Sequence, residues 1–138
     1  MPIAIGAMLA FVVGVFATMV GFDRERAFYA TVLLVVASLY VLFAAMGGST
    51  HALIVECVPM LAFIALAAVG FRTSQWLVVA GLLGHGIFDM AHRQLISNPG
   101  VPQWWAGFCA SYDIIAAAYL AVLLHRNRQR VASAARNG

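Results

Sequence analysis

AFYATVLLVVASLYVLFAAMGGST, residues 27–50, contains no charged side chain. About 20 apolar residues in a helix cross the ~30 Å hydrocarbon layer of a bilayer, and this run exceeds that length. It lacks the alternation of a half-wet strand, and an open sheet would leave its edge groups unsatisfied in lipid. The stretch therefore reads as a transmembrane helix, and it sets the fold class. Upstream, Pro2 to Phe22 is equally uncharged. Downstream, Ala52 to Phe71 is apolar except for Glu56, Trp76 to Ala91 except for His85 and Asp89, and Ala106 to Leu124 except for Asp113. The expected architecture is all-α, an integral membrane bundle of five transmembrane helices over about 2–22, 27–47, 51–71, 75–93 and 105–125, within a single domain spanning 1–138.

Composition agrees. The chain has 138 residues, 64% hydrophobic and 9% charged, whereas soluble domains are roughly half apolar and about a quarter charged. A soluble globular domain is thereby excluded. With five spans, Arg24, Arg26, Arg72, Arg126, Arg128, Arg130 and Arg136 reach one side of the membrane and only Arg93 the other. The positive-inside rule then places the N-terminus out and the C-terminus in, with a basic cytoplasmic tail over 126–138. The expected location is the cell's inner (plasma) membrane, crossed several times. Met1 to Met8 has no basic segment, so the first span is expected to stay as a helix instead of being cleaved as a signal. The lipid bilayer is the expected partner of the Arg tail, and nucleic acid is not expected, because such a tail is the ordinary orientation signal. Gly6, Ala10, Gly14 and Thr18 form a small-residue stripe for close helix packing, within one protomer or between the copies of a homo-oligomer.

Three acids lie where acids are expensive. A charged side chain at the centre of a spanning helix costs roughly 2.5 to 3.5 kcal/mol on insertion scales, so Glu56, Asp89 and Asp113 need compensation. At 1.5 Å per residue, Glu56 lies about 7 Å and Asp113 about 10 Å below the outer ends of their helices, while Asp89 lies about 20 Å from the inner end of its own. All three reach the outer third of the membrane, with Tyr40 at a similar level.

In residues 84–93, GHGIFDMAHR, the residues His85, Asp89 and His92 are spaced i, i+4, i+7 and share one helix face. Two imidazoles and a carboxylate so placed suit one divalent metal ion, zinc first, with Glu56 or Asp113 completing the shell or activating water. The expected metal ligands are His85, Asp89, His92, Glu56 and Asp113, and the expected catalytic residues are Glu56, His85, Asp89, Asp113 and Tyr40. A lipophilic small molecule in an outer-leaflet cavity is the expected substrate. Metal-free proton transfer between an acid and a His is the other chemistry this set allows. Two readings outside enzymology stand beside these: a proton or metal-ion transporter, and a structural network in which Asp89 pairs with Arg93 at i+4.

Other features have plainer readings. Cys57 and Cys109 read first as free buried thiols, then as a disulfide, and last as metal ligands. Trp104 and Trp105 read as interfacial belt residues, or as a lid over a lipophilic substrate. Pro59 is expected to kink the helix that carries Glu56.

Residues 84–93 together with NPGVPQWWAGFCASYD, residues 98–113, resemble the signature region of a small bacterial membrane protein family of unknown function. That resemblance implies a similar size and a five-span layout, and it implies no activity. In style, the gathering of His and acids inside a helix bundle is similar to alkaline ceramidases, which use zinc, and to emopamil-binding sterol isomerases, which use no metal. The spans align with neither.

Overall fold

Helix boundaries fall at capping and breaking residues. In the computed structural model, which describes residues 1–137, the chain forms α1 (Pro2–Val20), a short 3-10 turn (Phe22–Arg24), α2 (Ala27–Met46), α3 (Thr50–Arg72), α4 (Gln75–Leu95) and α5 (Trp105–Asn137). The Ser49 side chain accepts a hydrogen bond from the Ala52 N–H and opens α3, and the Ser74 side chain accepts from the Trp76 N–H and opens α4. The loop that includes Pro99, Gly100 and Pro102 separates α4 from α5. Helix α3 continues without a break through Pro59.

Four of the five helices, α1, α2, α3 and α5, are long and apolar enough to cross a membrane. Their outward residues are apolar as well: Phe11, Phe16, Leu34, Ile54, Val58 and Leu61 are all exposed. A helix that is apolar all round belongs in a core or in lipid. Helix α4 is the polar exception and lies between α3 and α5.

The packing is sequential, α2 on α3, α3 on α4 and α4 on α5, with α1 returning to lie along α5. The small-residue stripe makes that last contact, since Gly6 faces the Phe108 carbonyl and Gly14 the Tyr119 ring. The bundle thus has two distinct ends. At one, α2 and α4 finish while α3 and α5 begin; at the other lie the two turns that carry Arg24, Arg26 and Arg72. Helix α5 has 33 residues, about 50 Å, so it outlasts a ~30 Å hydrocarbon layer. The residues read from sequence as a basic tail continue this helix to Asn137, because Arg, Gln and Ala favour helix and no Gly or Pro intervenes.

Two close approaches hold the site end together. A Cβ on Gly86 would lie 3.1 Å from the Ala110 carbonyl oxygen and 3.4 Å from the Asp113 Cβ, so the missing side chain lets α4 and α5 touch. A Cβ on Gly100 would overlap the Phe43 carbonyl, so the loop lies directly on the end of α2. Gly84 differs, because its Cβ would meet only Phe63 at 3.8 Å. Gly86→Val is expected to destabilise the bundle by about 1–3 kcal/mol through overpacking, while Gly84→Ala leaves stability unchanged or slightly raised. Thermal unfolding of the detergent-solubilised variants checks this, and equal midpoints for the two would contradict the packing.

Candidate metal centre

The inward seam of α4 runs Val78, Leu82, His85, Asp89, His92, all buried. Its 4,3 spacing keeps one stripe against the neighbouring helices. Halfway along, the stripe changes from apolar to polar. Each polar member then meets a partner from a different helix.

From α5, Asp113 brings Oδ2 to 2.6 Å from His85 Nδ1. From α2, the Tyr40 hydroxyl donates to Asp89 Oδ1 at 2.7 Å. From α3, Glu56 Oε1 lies 2.7 Å from His92 Nε2. The Tyr40 ring also stacks on the His92 ring, with centroids 3.8 Å apart. Glu56, His85, Asp89, His92 and Asp113 are each at most 1% exposed. They are the buried charged and imidazole side chains among the described residues.

The five residues expected as ligands fall into two groups. His85, Asp89 and Asp113 come together with Cys109, and one ligand atom from each of the four lies within 4.8 Å of all the others. Inside this group His85 Nδ1 is 3.5 Å from Asp89 Oδ2, and the Cys109 thiol donates toward Asp113 Oδ2 at 3.9 Å. Asp89 Oδ2 and Asp113 Oδ1 are buried without a hydrogen-bond partner. A buried acceptor left unpaired is costly, so an orphaned oxygen on each of two acids of one cluster favours a cation there, while Glu56 Oε2 and His92 Nδ1 are left unpaired in the second group. One imidazole, two carboxylates and one thiol form a donor set that can hold a metal ion.

Glu56 and His92 pair with each other outside that cluster. Asn98, in the loop after α4, closes the second group by donating both to Glu56 Oε1 at 2.9 Å and to the Tyr40 carbonyl at 3.0 Å. Its own side-chain oxygen accepts from the Gly100 N–H. A polar pocket of about 210 Å³, lined by His92, Arg93, Ser97 and Asn98, opens at this end.

Several sequence expectations change here. Asp89 does not pair with Arg93, which is exposed while Asp89 faces Tyr40 and His85. Cys57 and Cys109 are free thiols, the reading ranked first, with Cys109 buried and Cys57 partly exposed. Cys109, ranked last as a ligand, belongs to the cluster; its signal was the spacing Cys109 to Asp113, i to i+4, which repeats that of His85 and Asp89 on the facing helix. Asn98 read only as a helix breaker. The tandem Trp divides: Trp104 is exposed, whereas Trp105 packs against Phe43 and Phe108.

Trp105 also lines a lateral groove of about 640 Å³ between α1, α2 and α5, walled by Phe28, Val32, Val36, Phe108 and Cys109. Its size suits a small lipophilic molecule. Cys109 therefore belongs to both the groove wall and the cluster. No protein-family model, curated protein or solved structure matches this chain. Its function has to be read from the site.

Tyr40→Phe removes the hydroxyl that donates to a fully buried carboxylate, and the expected cost is about 1–3 kcal/mol of stability. Denaturant or thermal unfolding in detergent measures it. An unchanged midpoint would mean that Asp89 does not depend on Tyr40.

Proposed function

We propose that this chain is an integral membrane metalloenzyme in which His85, Asp89, Cys109 and Asp113 hold one divalent ion, zinc first, and act on a lipophilic molecule lying in the lateral groove. The observation that carries this reading is the double membership of Cys109, which makes one residue of the cluster also part of the wall of a largely apolar groove. Charge supports it, since a divalent cation offsets most of the −3 that two buried carboxylates and the ligating Cys109 thiolate would carry where uncompensated charge is costly. Such an ion would supply Lewis acidity and, on expanding to five-coordinate or exchanging one carboxylate for water, a nucleophile, so metal-assisted hydrolysis is the reaction class proposed. A second reading, acid/base isomerisation without metal, draws on the 2.6 Å contact between His85 and Asp113, a pair already placed to exchange a proton. A shared proton and a bound ion are alternative occupants of the same gap.

In the membrane, the proposed orientation follows the arginines. With α4 counted as a span beside the other four helices, Arg24, Arg26, Arg72 and the end of α5 face the cytoplasm, and the cluster lies toward the outer leaflet of the plasma membrane. Ion or proton transport fits less well, because the buried ionisable groups gather at one end of the bundle instead of following one another through it.

Elemental analysis of protein purified in mild detergent without chelator tests the proposal. Close to one divalent metal per chain is expected in the wild type. The metal should be lost in His85→Ala and Asp113→Ala and kept in Glu56→Ala, whose residue pairs only with His92 and Asn98. Metal retained by the first two variants would refute the assignment. Absence of metal from all of them would favour the acid/base reading.

A further inference from the structure

The opposite end of the bundle carries a second groove, and its chemistry is unlike that of the first. It measures about 610 Å³ and is lined by Arg24 and Arg26 from the turn between α1 and α2, by Trp76 at the start of α4, and by Leu123, Leu124 and Arg128 of α5. Asp23 also lines it, with its carboxylate bonded to the Thr18 hydroxyl at 2.6 Å. Among the described residues no arginine lies within salt-bridge distance of a carboxylate. The groove therefore carries three arginines against one aspartate, a net positive charge with no direct ion pair.

Two arginines are held in place. Arg26 donates to the Thr73 carbonyl at 3.3 Å, which fixes it at the turn between α3 and α4. The Arg128 guanidinium lies over the Trp76 ring, 5.7 Å from its centroid, a contact that orients it and leaves its N–H groups free for an acceptor. The α4 N-terminus, capped by Ser74, opens beside them, and its helix dipole adds to the positive potential. Below these polar groups the wall is apolar, formed by Leu120, Leu123 and Leu124. Cations above an apolar wall match a molecule with an anionic head and a hydrocarbon chain.

We propose that this groove binds an anionic phospholipid, with its phosphate among Arg24, Arg26 and Arg128 and an acyl chain along the α5 leucines. Guanidinium forks suit phosphate oxygens. The site is independent of the metal cluster and of any activity there.

Native mass spectrometry of the full chain in detergent, titrated with dioleoylphosphatidylglycerol, dioleoylphosphatidylcholine or inorganic phosphate, tests the proposal. Phosphatidylglycerol should be retained, and the other two should not. The triple variant Arg24→Gln, Arg26→Gln, Arg128→Gln should bind it about a hundredfold more weakly, since each arginine beside an anionic headgroup is worth roughly fivefold. Arg126→Gln, Arg130→Gln, Arg136→Gln removes equal charge from the neighbouring face of α5 and should change affinity by less than about threefold. Single variants at Arg24 and Arg128 should show intermediate losses, which keeps the test valid if the triple variant does not fold. Equal losses in the two triple variants would overturn a defined site in favour of diffuse attraction, and tight binding of inorganic phosphate would overturn a lipid occupant.

Discussion

Burying three carboxylates inside an apolar helix bundle is the constraint on which the rest of this structure depends. Each costs roughly 2.5 to 3.5 kcal/mol if left alone in a spanning helix, so none is left alone. The inward seam of α4 supplies His85, Asp89 and His92, and the three helices around it answer with Asp113, Tyr40 and Glu56. Apolar packing between helices gives little specificity in lipid, where the surroundings are equally apolar. The polar pairs do give it, because each joins α4 to a different neighbour at one register. The glycine contact at Gly86 then brings α5 close enough for Asp113 to reach His85.

The two halves of the network each leave two buried polar atoms unpaired, Glu56 Oε2 and His92 Nδ1 in one and Asp89 Oδ2 and Asp113 Oδ1 in the other, and they differ in charge balance. Around His92 there is one acid, one imidazole and an amide donor from Asn98, a set that a shared proton balances. Around His85 there are two acids and one imidazole, with a carboxylate oxygen of each acid unpaired. A single proton between His85 and Asp113 leaves the second acid's charge standing. That imbalance distinguishes a place for a cation from a structural pair, and it coincides with the half that touches the lateral groove through Cys109.

The helices were legible because uncharged run length is a one-dimensional property, as residues 27–50 show. The face shared by His85, Asp89 and His92 was legible for the same reason, since helical spacing alone places it. Which helix would face which residue was not legible. Cys109 joins His85 and Asp89, and Glu56 goes to His92, through the register of α5 and α3 against α4, and that register is set by Gly86 and by a loop lying on Phe43. Asn98 looked like punctuation because its side chain works across 42 residues, on Glu56. The Asp89–Arg93 pair, the structural alternative, does not form because Asp89 points inward while Arg93 is exposed.

The central claim is that one thiol, one imidazole and two carboxylates hold a divalent ion, and the most direct measurement is X-ray absorption at the zinc edge of zinc-loaded protein. The account predicts one sulfur at about 2.3 Å together with nitrogen and oxygen scatterers at about 2.0–2.2 Å, the sulfur vanishing in Cys109→Ser. A shell with no sulfur and two imidazoles would contradict it, by moving the ion toward His92.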